Sequence, residues 1–323
     1  MTDSSTIFRF DRDLYIPEID LWLDSKRVKQ FGYVSHAHTD HLARHKQILC
    51  TPPTAEFIEK RIKPTDYQLL KFGQPLVLDD YTISLHPAGH ILGSAQIKIQ
   101  KNGFSLLYTG DFRLEPSKTV EMFEFVETDV LIMETTFGQA QYRMPSKQEV
   151  EDRLVERCRH LLTQNKIPIV LAYSLGKGQE ALKILTDAGL PVAVEEQIVR
   201  FVPTYQKYGV EFGPFEKFDR NNLRGKVNLL PVNYRFHRFY KRLSNGYTIY
   251  LSGWGMEPYA ERRFGVDEVI PLSDHADYHQ LFKLVETIKP KEVYCTHGFP
   301  QFVNELKAAG YRAKILENAE PAH

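Results

Sequence analysis

Short apolar runs that end in polar residues recur through the first part of the chain. Residues 81–85 and 95–99 alternate apolar and polar side chains with the period of two that is typical of half-buried strands. Residues 31–35 form a short apolar run that ends in polar residues. Residues 104–108 and 130–133 are mostly apolar, as expected of strands that are covered on both faces. Side chains at the ends of strands are held rigidly and still reach a substrate. Three chemically capable residues take this place after the apolar runs: His36, Asp111 and Glu134.

The pattern changes after Gly138. Ser146 and Glu149 have the spacing of a capping box, and the apolar residues that follow recur at helical spacing, which predicts a helix over 147–164. A strand over 167–173 and a helix that includes 179–187 follow, and this alternation indicates a small α/β unit. Strand-like runs return over 269–272 and 292–295. The sequence therefore predicts an α/β protein in which one discontinuous domain, 1–144 plus 266–323, carries an inserted cassette, 145–265.

Composition limits the kind of chemistry. The 323 residues are 42% hydrophobic and 25% charged, and neither a long apolar run nor a signal-peptide pattern occurs, so we predict a cytoplasmic protein that does not enter a membrane. The three cysteines are scattered, which argues against a disulfide framework or a cysteine-based metal site. The net charge is +0, so any binding of nucleic acid must depend on a local patch.

The strongest signal is the segment His36-Ala37-His38-Thr39-Asp40-His41. Imidazole and carboxylate groups suit zinc and similar divalent ions. Two ligands that are two residues apart can face one ion, and the next pair, Asp40 and His41, can hold a second one. Further groups of the same type follow strand candidates downstream and complete the ligand count for two ions: His90, Asp111 and His297.

This order of motifs resembles the metallo-β-lactamase superfamily in its hydrolase form, which implies an αββα sandwich. By that resemblance His36, His38 and His90 hold one ion. Asp40, His41 and His297 hold the other, and Asp111 bridges the two. Asp24 is similar to the aspartate of the first family motif, which supports the ligand loop from behind. Zinc is the expected metal, with manganese as the alternative.

Four segments resemble the β-CASP group, the nucleic-acid-processing members of that superfamily: 134–138, 175–180, 273–277 and 296–298. The short cassette and the combination of 87–96 with 251–254 and 272–277 are similar to prokaryotic ligase-associated DNA exonucleases. Those proteins are similar in turn to the interstrand-crosslink-repair nucleases, which usually lack a histidine where His297 stands. The family name implies a functional link to a DNA ligase by resemblance only.

The chemistry of phosphodiester cleavage agrees with this resemblance. Two neighbouring divalent ions can supply the nucleophile and neutralise the developing charge. A carboxylate beside an imidazole favours the imidazolium, so Glu134 could keep His275 protonated as a general acid. We therefore expect Asp40, Glu134 and His275 to be the catalytic residues.

Candidate contacts to nucleic acid lie in the cassette. The chain has no Asp or Glu from Arg220 to Met256, and aromatic residues lie among the basic ones there. Basic groups neutralise phosphates and aromatic rings stack on unpaired bases, although a solvated basic face over core rings would have the same pattern. The predicted contacts are Lys177, Arg235, Arg238, Lys241 and Arg242.

These features favour a DNA exonuclease that acts in repair, with DNA preferred to RNA. An RNA-processing nuclease, like RNase J or the enzymes that cleave mRNA 3′ ends, would use the same metals and acid pair. A small-molecule hydrolase is disfavoured by the cassette and by residues 134–138. A non-catalytic binding subunit is disfavoured because every ligand candidate is present, and a diiron redox protein because His38 stands where those relatives carry Glu.

Overall fold

The computed structural model of this protein describes residues 7–62, 66–237, 243 and 245–316. The chain forms two compact units, the first from residues within 1–116, 120–140 and 275–323, the second from 117–119 and 141–274. The domain boundaries inferred from the sequence pattern, at 144/145 and 265/266, stay predictions. Among the described residues, no helix has both the length and the apolar character that crossing a bilayer requires.

The first unit contains two β-sheets. One sheet follows chain order: β1 (Arg9–Asp11), β2 (Asp13–Ile16), β3 (Leu21–Leu23), β4 (Phe31–Tyr33), β5 (Gln47–Cys50) and β6 (Asp66–Leu69). The strands of the other sheet are β7 (Leu76–Leu78), β8 (Tyr81–Pro87), β9 (Ala95–Lys101), β10 (Phe104–Tyr108), β11 (Val130–Glu134), β18 (Glu292–Thr296) and β19 (Ala313–Ile315). Their spatial order is β19-β18-β11-β10-β9-β8-β7, and β10, β11 and β18 run parallel.

Both faces of the second sheet are covered, as the apolar runs predicted. Leu106 and Ile132 pack against residues of the first sheet, such as Leu21, in one core. Their neighbours in sequence point the other way: Leu107 and Leu131 pack in a second core with the helices α7 (Tyr278–Ile288) and α8 (Pro300–Ala308). The helix α1 (Pro52–Glu59) also belongs to this unit. The predicted mixed α/β fold is confirmed.

The second unit is a parallel α/β layer. Its strands are β12 (Ile167–Ala172), β13 (Val192–Val194), β14 (Glu216–Lys217), β15 (Val227–Pro231), β16 (Gly246–Leu251) and β17 (Glu268–Ile270), in the spatial order β14-β13-β15-β12-β16-β17. The helices among its described residues are α2 (Lys147–Thr163), α3 (Lys177–Asp187), α4 (Glu196–Val199), α5 (Val202–Lys207) and α6 (Ala260–Phe264). The predicted capping box is present at α2: Ser146 Oγ accepts from the Glu149 N–H, and the Glu149 carboxylate accepts from the Ser146 N–H.

Candidate metal centre and acid pair

Three strand ends of the first unit bring four metal-ligand candidates together. His36 follows β4, His90 follows β8 and Asp111 follows β10, and His38 is two residues beyond His36. One ligand atom from each of these four residues lies within 4.8 Å of the others. His90 Nε2, for example, is 3.1 Å from His38 Nδ1 and 3.8 Å from Asp111 Oδ2. The set is largely buried, so its mutual distances are fixed by packing.

Hydrogen bonds behind the cluster set the orientation of His36. The Ser35 hydroxyl donates to Asp24 Oδ2 at 2.6 Å, so the hydroxyl oxygen is left to accept from His36 Nδ1–H at 3.0 Å. In the neutral ring, a proton on Nδ1 leaves a lone pair on Nε2. Burial, and then the neighbouring histidines, hold the pKa of His36 well below its usual value, which keeps the ring neutral.

The lone pair of His36 therefore faces another acceptor. His36 Nε2 lies 3.6 Å from Asp111 Oδ2, is fully buried and has no hydrogen-bond partner among the described residues. Two buried acceptors at this distance repel each other unless a cation lies between them. Imidazole nitrogens with one carboxylate are the donor set of zinc-type sites. The residues present therefore fit a divalent ion.

His41 has the reverse electrostatic balance. Burial alone would lower its pKa, but the carboxylates of Asp111 and Asp24 outweigh burial and raise the pKa well above its usual value. Its Nδ1 donates to Asp24 Oδ2 at 2.8 Å, and its Nε2 is 3.3 Å from Asp111 Oδ2. For Asp111, burial favours the neutral acid, whereas His41 and then His275 favour the carboxylate, and the net pKa is well below its usual value. Positive charge on His41 Nε2, from a proton or a metal ion, is thus stabilised.

Asp40 and His297 lie at the open edge of this cluster. The Asp40 side chain is 66% exposed, and its Oδ2 is 4.0 Å from His41 Nε2. His297 is exposed, and its ring centroid is 5.8 Å from that of His41. His297 has a positive φ of 54°. Residues other than glycine rarely adopt this backbone conformation, and those that do are often found at functional sites. The two residues are close to His41 but are not in the compact set around Asp111.

The predicted acid pair is adjacent to Asp111. His275 Nδ1 lies 2.8 Å from Glu134 Oε1, and Glu134 is only 1% exposed. Backbone N–H groups of Phe112 and Thr136 also donate to the Glu134 carboxylate. Ligand atoms of Asp111, Glu134 and His275 lie within 4.8 Å of one another. The ring of His275 thus has one nitrogen committed to a buried carboxylate and is placed beside the metal-ligand cluster.

Two glycines of the site motifs are required by close packing. A Cβ on Gly110, which has a φ of 57°, would lie 2.7 Å from the Ser35 side chain. A Cβ on Gly298 would lie 1.9 Å from the backbone oxygen of Thr135, the residue after Glu134. Gly298 therefore lets the loop that carries His297 lie directly against the backbone of Thr135, immediately after Glu134 at the end of β11.

Comparison with known proteins agrees with these features. Residues 259–316 match a family described as "Zn-dependent metallo-hydrolase RNA specificity domain". A protein of Opitutus terrae named "Probable DNA ligase" is 37% identical over 309 residues, which cover 94% of this chain and 30% of that protein. The "RNase J-like protein" of Methanocaldococcus jannaschii is 25% identical, over 82% of this chain and 80% of that protein. The mouse "DNA cross-link repair 1A protein" is 24% identical, over 84% of this chain and 29% of that protein.

The chain belongs to the β-CASP group of metallo-β-lactamase nucleases. Membership of this metallo-hydrolase group and the buried histidine and aspartate cluster together indicate a site for divalent metal. The chain spans less than a third of the Opitutus and mouse relatives, so their activities belong to longer proteins.

Two of the residues predicted from sequence to contact nucleic acid, Lys177 and Arg235, are among the described residues of the second unit. Lys177 begins α3, is 5% exposed and has its Nζ 2.5 Å from Asp274 Oδ1, so it takes part in a buried ion pair. Arg235 is partly exposed and lies over the ring of Phe236. Three further predicted contacts lie outside the described residues: Arg238, Lys241 and Arg242.

Sequence reasoning missed two residues behind the metal-ligand candidates. Ser35 donates to Asp24 from both its backbone N–H, at 2.7 Å, and its hydroxyl. Tyr108, at the end of β10, donates its hydroxyl to Asp24 Oδ2 at 2.9 Å. The only signal for them was position, because Ser35 directly precedes His36 and Tyr108 directly precedes the Thr109-Gly110-Asp111 motif.

Proposed function

We propose that this protein is a dinuclear metal-dependent phosphodiesterase that shortens DNA in a repair process. The observation that carries the proposal is the buried Glu134–His275 pair beside Asp111. A site that only bound metal would not require a proton donor next to its ligands. Cleavage of a phosphodiester does require one, because the leaving oxygen must be protonated.

In this proposal His36, His38 and His90 would hold one ion, Asp40, His41 and His297 would hold a second, and Asp111 would be a ligand to both. Zinc fits the nitrogen-rich donor set, and manganese is the alternative. When bound, the two ions supply an activated water and neutralise charge on the phosphate. Asp24 fixes the tautomer of His41 directly and that of His36 through Ser35, so both rings present Nε2 to the site.

His275 acts as the general acid. Glu134 accepts a hydrogen bond from Nδ1 of His275, which orients the ring and stabilises its protonated form. The other ring nitrogen, Nε2, would then donate the proton to the leaving oxygen. Backbone N–H groups of Phe112 and Thr136 hold the Glu134 carboxylate in position while the proton moves. Asp40 serves as a ligand at the exposed edge of the site, where substrate enters.

DNA is the favoured polymer. The Opitutus relative is named as a DNA ligase and the mouse relative as a DNA cross-link repair protein, and each aligns with most of this chain. The similarity to the Opitutus protein also supports a functional link to a DNA ligase. Lys177, Arg235, Arg238, Lys241 and Arg242 would contact phosphates. Lys177 would do so by exchanging its partner Asp274 for the substrate.

RNA processing is the second candidate. It is favoured by the RNase J-like relative, which this chain covers over 80% of its length, and by the match to a domain described by RNA specificity. Nothing in the proposed chemistry of the acid pair depends on a 2′-hydroxyl, the group by which proteins distinguish RNA from DNA.

A gel assay with end-labelled single strands of DNA and RNA of identical sequence tests the proposal. Each strand is supplied with and without a 5′-phosphate, and purified protein is loaded with zinc or manganese. Stepwise shortening of DNA alone is the expected result, and the labelled end reports polarity. Preferential cleavage of RNA would transfer the protein to the second candidate. Absence of cleavage of both polymers with two ions bound would refute nuclease function.

A further inference from the structure

A row of arginine side chains and aromatic rings lies on the second unit. The guanidinium carbon of Arg235 is 4.5 Å from the ring centroid of Phe236 and 5.7 Å from that of Phe264. Arg263 continues the row, at 5.2 Å from the Phe264 ring and 6.0 Å from the Trp254 ring. We call these five residues the arginine–ring strip. Each arginine of the strip lies within cation–π distance of two rings.

The strip is open to solvent. Phe236 is 69% exposed, and Phe264 and Trp254 are partly exposed. Phe236 ends a short 3-10 turn, Val232–Phe236, and Trp254 lies in another, Gly253–Met256, so both rings are carried by tight backbone turns. Arg263 also pairs with Glu257, whereas Nε of Arg235 is buried and has no hydrogen-bond partner among the described residues.

Tyr259 is more exposed and is joined to the strip through the backbone. The residue is 81% exposed, and its carbonyl accepts from the N–H of Arg263. Its φ is 62°, in the left-handed region where a bulky side chain costs about 1–3 kcal/mol. Burial of the side chain does not offset this strain, since the residue is largely exposed. A ring that is kept in a strained and exposed position suits contact with a ligand.

We infer that the arginine–ring strip and Tyr259 bind single-stranded nucleic acid by stacking on its bases. The inference rests on the proposed function, because it takes a nucleic acid as the substrate. Every base has a π-face, so rings bind a strand without reading its sequence, and guanidinium planes add stacking and neutralise phosphates. A paired duplex hides those faces within its stack, so the strip fits unpaired strands.

The test is a binding assay with metal removed by chelation, so that no strand is cut. Fluorescence anisotropy compares a labelled single-stranded DNA with an abasic strand of equal length, for the wild-type chain, Phe236→Ala, Tyr259→Ala and Tyr259→Phe. We expect each alanine variant to bind the normal strand about ten-fold more weakly. Tyr259→Phe should retain affinity, and the abasic strand should bind all four proteins equally and weakly.

Tyr208→Ala is the matched control. Tyr208 is also exposed in the second unit and also pairs with a cation, Lys207, but it belongs to none of the contacts of the strip. Its substitution should leave affinity unchanged. Alanine variants that bind both strands like the wild type would overturn the inference that the strip and Tyr259 bind bases, and would leave the proposed nuclease function intact. A wild-type chain that binds no strand in this assay, and cuts none once zinc or manganese is restored, would overturn both. Thermal unfolding of each variant shows that a loss of affinity is not a loss of fold.

Discussion

Replacement of Asp24 by asparagine tests how much the residues behind the metal ligands contribute, because it leaves the proposed ligands themselves unchanged. The Asp24 side chain is 4% exposed and accepts four hydrogen bonds, one on Oδ1 from the Ser35 N–H and three on Oδ2 from Ser35, His41 and Tyr108. Asparagine has the same shape but offers one acceptor oxygen and one NH₂ donor. In either orientation its NH₂ faces at least one buried donor.

The magnitude follows from this mismatch. A buried donor left without an acceptor costs about 1–3 kcal/mol of unfolding free energy. The substitution also removes the carboxylate that fixes the tautomer of His41, and loss of such a partner lowers metal affinity by about 10–100-fold. We therefore expect Asp24→Asn to be less stable without metal and, separately, to bind zinc more weakly.

Two measurements check these effects. Urea unfolding of chelator-treated protein gives the change in stability, and zinc titration against a competing chelator gives the change in affinity. Asp20→Asn is the control: Asp20 has a φ of 47°, close to the 46° of Asp24, but it is exposed and accepts from Trp22. This control should change stability by less than about 0.5 kcal/mol. Zinc affinity equal to that of the wild type in Asp24→Asn would refute the orienting role.

Three further predictions concern the site and its substrate. Asp111→Asn should abolish cleavage and lower the metal content measured by elemental analysis, since it removes the charge that faces both His36 and His41; full activity with two ions retained would exclude a bridging role. His275→Ala should slow cleavage by about 10²–10⁴-fold with unchanged metal content, whereas the exposed His279→Ala should have no effect; loss of an ion would identify His275 as a ligand. Four basic residues are changed to Glu in the last variant: Arg235, Arg238, Lys241 and Arg242. This variant should bind DNA more weakly, and the slope of log affinity against log salt should become shallower by about 0.7 for each phosphate that is no longer neutralised. Unchanged affinity would assign these residues to a solvated face.

The strands that carry the site could be predicted from sequence because burial requires a local pattern of apolar residues. Val130 to Met133 are apolar at every position since successive side chains enter two different cores, and the polar residue that follows, Glu134, marks where the sheet ends. The ligand candidates were recognisable because they occur in short motifs whose residue types are rare in combination.

The support behind the ligands was not predictable in the same way. Ser35 and Tyr108 meet Asp24 across 11 and 84 positions of the chain, and no local periodicity reports such contacts. Short strands such as β1 and β14 were also missed, because two or three mostly exposed residues leave no alternation to detect. The arginine–ring strip depends on a similar convergence of separate segments, 235–236, 254 and 263–264.

The close approach of Gly298 to Thr135 couples the position of His297, a metal-ligand candidate, to that of Glu134, a member of the acid pair. Glu134 and Thr296 are paired residues at the ends of the neighbouring strands β11 and β18. The acid pair and the loop of His297 therefore start from the same pair of strand ends. A slip in the register of these strands would displace a metal-ligand candidate and the proton donor together. A substitution that shifts this register should therefore lower metal binding and misalign the acid together, whereas a substitution that only removes the ring of His275 should leave metal binding unchanged.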